Sequence, residues 1–177
     1  MGARDASPAA RDASHETVGF GGGCHWCTEA VFQALGGVTR VEQGFMASDP
    51  PDDALSEAAR VTFDPTAIPL DVLIEVHLRT HASTAEHSMR GKYRSAIYVE
   101  KAAQAARARS ALDRLAPDFD APPVTRVLPL RDFKPSDERF HDYYATDPTR
   151  PFCRTYIDPK LALLRERFAD RVGSSRG

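Results

Sequence analysis

The sequence predicts an α+β protein in which helices pack on one mixed β-sheet. Three observations carry that reading. Short stretches with an apolar period of two alternate with stretches of helical period. Neither an internal repeat nor a linker divides the body. Of 177 residues, 42% are hydrophobic and 27% charged, ordinary values for a soluble globular chain. Roughly 150 residues can bury a core without disulfide or metal staples. Lys and Arg number 23 against 25 Asp and Glu, a net charge of −2. That balance lacks the basic excess of a nucleic-acid or anionic-membrane binder. No apolar run approaches the ~18 residues of a membrane span. The expectation is therefore no nucleic-acid partner and no membrane.

Residues 1–16 mix Ala, Arg, Asp and Ser without periodicity and lack the apolar stretch of a signal peptide, so they read as a disordered N-terminal tail. Thr17-Val18-Gly19-Phe20 is a short strand, followed by Gly21-Gly22-Gly23. Residues 25–35 carry Val31, Phe32 and Leu35 at helical spacing, and Gly36-Gly37 stops the helix. Val38 to Met46 is a strand. The Asp- and Pro-rich stretch 47–56 is a loop. In 57–63 the residues Ala59, Val61 and Phe63 share one face. Leu70, Leu73, Ile74 and Leu78 make 69–79 an amphipathic helix. Polar residues 80–91 form a loop. A strand follows at 93–100, with Ile97 and Val99 on one face and Tyr98 on the other. Residues 101–115 are Ala-rich and helical, 124–130 a further strand, and 136–145 and 158–171 helical. The expected architecture is a two-layer sandwich: a mixed, ferredoxin-like sheet with helices packed on it, one domain over 17–171 and a loose C-terminal tail at 172–177.

The cysteines speak to function. There are 3, Cys24, Cys27 and Cys153, too few and odd in number for a secreted disulfide framework. Cys24 and Cys27 form a C-x-x-C, a spacing that in a reducing compartment points to redox chemistry or metal binding. Cys24 follows a strand and three glycines and precedes a helix. Free N–H groups at a helix start favour an anion, which lowers the pKa of a thiol there and makes it nucleophilic.

Gly23-Cys24-His25-Trp26-Cys27-Thr28-Glu29 resembles the Gly-Cys-Phe-Trp-x-x-Glu signature of the peptide methionine sulfoxide reductase A family. The likeness continues in order. It runs through Gln43-Gly44-Phe45, through Ser56-Glu57-Ala58-Ala59-Arg60-Val61-Thr62-Phe63-Asp64-Pro65 and through Lys92-Tyr93-Arg94-Ser95-Ala96-Ile97-Tyr98. It ends at Phe152-Cys153-Arg154 and Asp158-Pro159-Lys160-Leu161. It covers about residues 18–170, and so many segments in the same order do not match by chance.

The resemblance implies a thiol-dependent reductase of methionine S-sulfoxide, in proteins or as the free amino acid. Cys24 takes the role of the thiol that attacks the sulfoxide sulfur and becomes a sulfenic acid. A second thiol then forms an intramolecular disulfide, which thioredoxin reduces. Glu57 falls on the acid that binds the sulfoxide oxygen. It has the parity of the apolar face, where desolvation favours a protonated carboxyl able to deliver a proton. Tyr93 falls on a tyrosine that hydrogen-bonds the same oxygen and shares the parity of Ile97 and Val99. Trp26 falls on the indole that packs against the substrate methyl group. Glu29, in the first helical turn, reads as a structural complement to the dipole. Tyr143 and Tyr144 lie where relatives carry aromatic residues near the site.

The sequence departs from the pattern at two pocket positions. His25 stands where the family has Phe, so the substrate cage gains an imidazole that is free to pair with Cys24, select another sulfoxide or face water. Phe45 stands where a second oxygen-binding tyrosine is expected. His77, on an apolar helix stripe, reads as a satisfied core histidine; His81 and His87 flank a loop near the Tyr93 strand and are able to line the pocket, with a solvated loop the default. For the resolving thiol, Cys27 is one turn along the same helix and needs no loop closure, whereas Cys153 must bring a distant segment back. Cys24–Cys27 is therefore expected to form first, with Cys153 a second relay thiol or a bystander. Neither metal nor cofactor is expected, because a zinc site needs about four ligands and no second paired cluster accompanies Cys24, His25 and Cys27. A cytoplasmic monomer completes the expectation. The alternatives are a reductase of another small sulfoxide, and a module that binds oxidised Met or a metal.

Overall fold

Strands β1 (Glu16–Gly21), β2 (Val38–Ala47), β3 (Ser56–Phe63) and β4 (Ala96–Val99) pair antiparallel in the order β4-β1-β3-β2. β5 (Arg126–Pro129) extends this centre parallel to β4, and β6 (Asp132–Pro135) extends the other edge antiparallel to β2. The result is a six-stranded mixed sheet of ferredoxin-like centre. The computed structural model that shows it describes residues 15–173.

The period-two pattern decides the two faces of the sheet. Val18, Phe20, Val61, Phe63, Ile97 and Val99 point to the helical layer, while Met46, Ala58, Ala96 and Tyr98 form a smaller cluster on the opposite face with Leu128, Leu130 and Phe133. Helices α1 (His25–Gln33), α2 (Leu70–Thr80), α3 (Ala102–Leu115) and α5 (Asp158–Arg167) supply the helical layer, and α4 (Tyr143–Thr146) is a single turn. The stripe of α2 is buried as its spacing predicts, and the Phe32 ring of α1 stacks on Phe20 of β1 with centroids 4.6 Å apart. Burial of this kind contributes about 1.5–3 kcal/mol for each large apolar side chain.

Several elements differ from the sequence expectation. The predicted helix 136–145 is instead a 3₁₀ turn at Glu138–Phe140 and the short α4, separated by Asp142 in the left-handed region at φ 55°. β6, just before it, was not expected. The strand predicted from residue 93 begins only at Ala96, because Lys92 and Arg94 bond to Ser56 and Glu57 outside the ladder. The last helix ends at Arg167 and is preceded by a wider π-type turn at Cys153–Ile157. The expected tails are shorter: β1 starts at Glu16, and Val172 bridges to Leu35. Residues 1–14 and 174–177 of those tails lie outside the described residues.

The Gly-rich turn between β1 and α1 is fixed by what lies beneath it. Gly22 has φ +151°, and a Cβ there would meet the His81 ring at 2.5 Å. His81 is not a solvated loop residue. Its Nε2 is 2.9 Å from Ser95 Oγ, its Nδ1 hydrogen-bonds the His77 carbonyl, and its ring stacks on that of His77 at 4.2 Å. His77 donates from Nε2 to the Gly21 carbonyl at 2.8 Å, the satisfied core histidine that its helix position predicts. Burial pushes His77 well below the ordinary imidazole range, and pushes His81 down to about 4.

Both imidazoles are thus neutral in the fold, while an unfolded chain protonates them below about pH 6.5. The unfolded state then binds more protons, so stability is complete above that pH and is lost as pH falls toward 4. The His81 share amounts to about 3 kcal/mol. Urea denaturation across this range should show the loss in the wild type, and His81→Gln should lose about that much less.

Candidate active site

Cys24 is the N-cap of α1, with φ −58° and ψ 130°, and its carbonyl accepts from the N–H groups of Cys27 and Thr28 at 3.1 and 3.2 Å. The sulfur is therefore held where the helix presents unused N–H groups. The pKa of Cys24 is lowered. The largest cause is a hydrogen bond from the Cys27 thiol; backbone N–H groups of Trp26 and Cys27 assist, while burial and the Glu57 charge oppose. Cys27, the donor of that bond, is raised above the ordinary thiol range by the same bond, by burial and by the Cys24 charge. A proton shared this way favours the anion on Cys24 over Cys27.

β3 brings Glu57 to the same place. Glu57 is 7% exposed, so its carboxyl does not turn to water as an ordinary strand-end residue would. Its Oε1 accepts from the His25 backbone N–H at 3.3 Å and lies 3.5 Å from His25 Nε2. Its Oε2 lies 3.6 Å from Lys92 Nζ. Lys92 Nζ also sits 5.1 Å above the Tyr93 ring, and contact with the Tyr93 hydroxyl raises the lysine's pKa first, with Glu57 adding to it. Tyr93 thus belongs to the cluster through the loop before β4, and not through strand parity.

His25 neither faces water nor points at Cys24. Its Nδ1 is 2.9 Å from the Gly44 carbonyl, an acceptor only, so Nδ1 carries the hydrogen and Nε2 is left to Glu57. The ring meets Phe45 edge-on at 5.2 Å, and Phe45 is the cross-strand partner of Glu57 in the β2–β3 ladder. Cys24, His25, Phe45, Glu57 and Tyr93 therefore converge. Trp26 is turned sideways, stacked on Tyr143 at 4.1 Å and 7°, with Phe152 edge-on at 5.4 Å and Phe140 at 5.8 Å. This aromatic wall was only partly foreseen, at Tyr143. Glu29 builds it: 1% exposed, its carboxylate accepts the N–H groups of Asp142 and Tyr143 at 3.0 and 3.1 Å. The dipole role read for Glu29 missed this. The available signal was a carboxylate at i+4 from His25 and i−3 from Phe32, on the buried stripe of the helix.

Cys153 is buried at the start of the π-type turn, and its thiol donates to the Asp147 carbonyl at 3.6 Å. It belongs to the same core cluster as Cys27 and raises the Cys27 pKa by its charge. No distant segment has to be brought back, so the loop-closure argument against Cys153 does not apply in the folded chain. Burial also raises the Cys153 thiol, which leaves Cys24 the one cysteine whose pKa is lowered. Among the described residues no three His, Cys, Asp or Glu side chains are arranged to hold a metal, and no helix is long and apolar enough to cross a membrane.

The assembled site has a thiolate, a second thiol against it, a buried carboxyl and an aromatic wall, a set suited to nucleophilic attack with proton delivery. Replacing Cys27 by Ala removes the hydrogen bond that most favours the Cys24 thiolate. Alkylation of Cys24 by iodoacetamide should then require higher pH and slow at pH 7. Cys27→Ser keeps a donor and should shift less.

The chain is similar to known proteins over most of its length. Residues 16–172 match the family model of peptide methionine sulfoxide reductase. The peptide methionine sulfoxide reductase MsrA of Psychrobacter sp. (strain PRwf-1) is 32% identical over 169 residues, 86% of this chain and 96% of the relative. Among solved structures, methionine sulfoxide reductase A of Corynebacterium diphtheriae aligns with a TM-score of 0.67 and 26% identity, covering 77% of each chain. Mxr1 from Saccharomyces cerevisiae, in a structure of its complex with Trx2, shares the fold with a TM-score of 0.59 and 18% identity, over 74% of this chain and 86% of that one.

Proposed function

The chain belongs to the peptide methionine sulfoxide reductase family, and from that membership we propose that Cys24, Glu57 and Tyr93 reduce methionine S-sulfoxide within one catalytic domain spanning 17–171. The Cys24 thiolate attacks the sulfoxide sulfur while Glu57 gives a proton to the oxygen, with the Tyr93 hydroxyl steadying that atom. The oxygen then passes to the Cys24 sulfur: the methionine sulfur–oxygen bond and the new sulfur–sulfur bond break, methionine leaves, and Cys24 is a sulfenic acid. Cys27 then attacks the Cys24 sulfur. A disulfide forms, and hydroxide departs as water with the Cys27 proton. Two thiols have supplied two electrons, and a thioredoxin returns them by thiol–disulfide exchange. The relative solved in complex with Trx2 supports that choice of reductant. The observation that supports the reading is Cys24 at the N-cap of α1, with Cys27 one turn on and the Glu57 carboxyl against the His25 N–H.

Trp26, Phe45 and His25 make the substrate pocket. The His25 imidazole, bonded to Gly44 and facing Glu57, gives the pocket a polar wall where relatives have Phe. That one feature favours a second reading, a small polar sulfoxide as substrate. A panel of free, peptide and non-methionine sulfoxides separates the two. Three free thiols fit a reducing compartment. We therefore assign the protein to the cytoplasm, as a monomer that repairs oxidised proteins under oxidative stress. Cys153 serves as a relay thiol behind Cys27.

Single-turnover assays with separated S- and R-sulfoxides test the proposal. Cys24→Ser should release no methionine, whereas Cys27→Ser and Cys153→Ser should each release about one per chain. Glu57→Gln should slow methionine release by about 10²–10⁴-fold, the worth of general acid catalysis. Activity retained in Cys24→Ser, or an unchanged pH–rate profile in Glu57→Gln, would overturn the assignment of that residue.

A further inference from the structure

Behind the two cysteines lies a cavity of about 40 Å³, lined by Cys24, Cys27, His77, His81 and Lys160 among others. It has room for water. The sulfoxide chemistry assigned to Glu57 and Tyr93 makes no use of Lys160. Its side chain runs inward from α5, and its Nζ donates a hydrogen bond to the Thr80 carbonyl at the end of α2. Among the described residues no carboxylate pairs with it. A cation taken from water needs a counter-charge. α1 presents Cys24 and Cys27, and α2 and the residue after it present His77 and His81, both neutral. The sulfurs of Cys27 first, and Cys24 second, are the charges that favour the ammonium, while burial lowers its pKa.

We propose that Lys160 is the counter-ion of the Cys27 thiolate in the disulfide-forming step, a positioning residue that acts through Cys27. This rests on Cys27 being the thiol that resolves Cys24. Before turnover the anion sits on Cys24, held by the Cys27 thiol. Once Cys24 carries oxygen as a neutral sulfenic acid, that role of Cys27 ends, and the thiol must itself become the nucleophile. Attack forms the Cys24–Cys27 sulfur–sulfur bond and breaks the Cys24 sulfur–oxygen bond. Cys24 sulfur is reduced, Cys27 sulfur is oxidised, and the Cys27 proton leaves with the hydroxide as water. Lys160 stabilises the anion in between. Burial of Cys27 persists after Cys24 is oxidised and opposes its thiolate, which is why a cation matters there.

The test follows one turnover of full-length reduced enzyme with free methionine S-sulfoxide and no reductant. Methionine release is read by chromatography, sulfenic acid by dione trapping, and the disulfide by peptide mapping. Lys160→Met should lower the ratio of disulfide formation to methionine release at pH 7 by about three- to tenfold. Thiolate fraction falls about tenfold for each unit that the thiol pKa rises, and nucleophilicity returns about a factor of three. The pH profile of disulfide formation should move up by about one unit, and Lys160→Arg should restore it. A profile in Lys160→Met that superimposes on wild type overturns the inference and leaves the Cys24–Cys27 pair standing. A Cys24–Cys153 disulfide at the earliest time point overturns both. If Lys160→Met does not fold, Lys160→Arg against wild type at rising salt, and Cys27 alkylation against pH in Cys24→Ser with Lys160→Gln, give the same reading. No change in the Cys27 titration overturns the inference.

Discussion

The hydrogen bond from the Cys27 thiol to the Cys24 sulfur is the interaction on which the site depends. It favours the negative charge on the residue at the helix start over the residue one turn further on. Burial of both sulfurs works against any thiolate. A short-range donor is what tips the balance toward Cys24, and the N–H groups of Trp26 and Cys27 add to it. The same pairing places the second thiol against the first before chemistry begins, so nucleophile and resolving thiol are one local device.

The fold exists around that device in a specific way. Gly22 passes over the His81 ring with no space for a side chain, which fixes the entry into α1. His77 ties the end of β1 from below through the Gly21 carbonyl. On the other side Glu29 reaches to the Asp142–Tyr143 corner and holds Tyr143 against Trp26. The β2–β3 ladder sets Phe45 opposite Glu57, and the Gly44 carbonyl orients the His25 ring toward the same carboxyl. Each contact joins segments far apart in the chain, so the site is a product of tertiary structure and not of the signature alone.

Elements with a strong apolar period were legible. β3 follows from Ala59, Val61 and Phe63, and α2 from the stripe of Leu70, Leu73, Ile74 and Leu78, because periodicity reports burial directly. β6 was not, since four residues that end in Pro135 carry no pattern and are held by pairing with β2. The segment 136–145 is polar enough to read as a helix, yet Glu29 and Gln43 capture its backbone, through Asp142, Tyr143 and the Phe140 carbonyl. For the site, Cys24 and Cys27 stood out by chemistry and spacing. Glu57 and Tyr93 came from resemblance, since a carboxyl at a strand end and a tyrosine near a strand read equally well as ordinary surface and core. Lys92 and Lys160 were invisible as site residues, and His81 was read by default as solvated, because their significance lies in what they face.

The most direct measurement of the account is a pH titration of thiolate ultraviolet absorbance in the fully reduced protein, with Cys24→Ser as reference. The account predicts that one thiolate per chain forms below the ordinary cysteine range, that it vanishes in Cys24→Ser, and that Cys27 and Cys153 contribute nothing until far higher pH. Absorbance that rises only in the ordinary cysteine range, or a low-pH thiolate that survives Cys24→Ser, would contradict it.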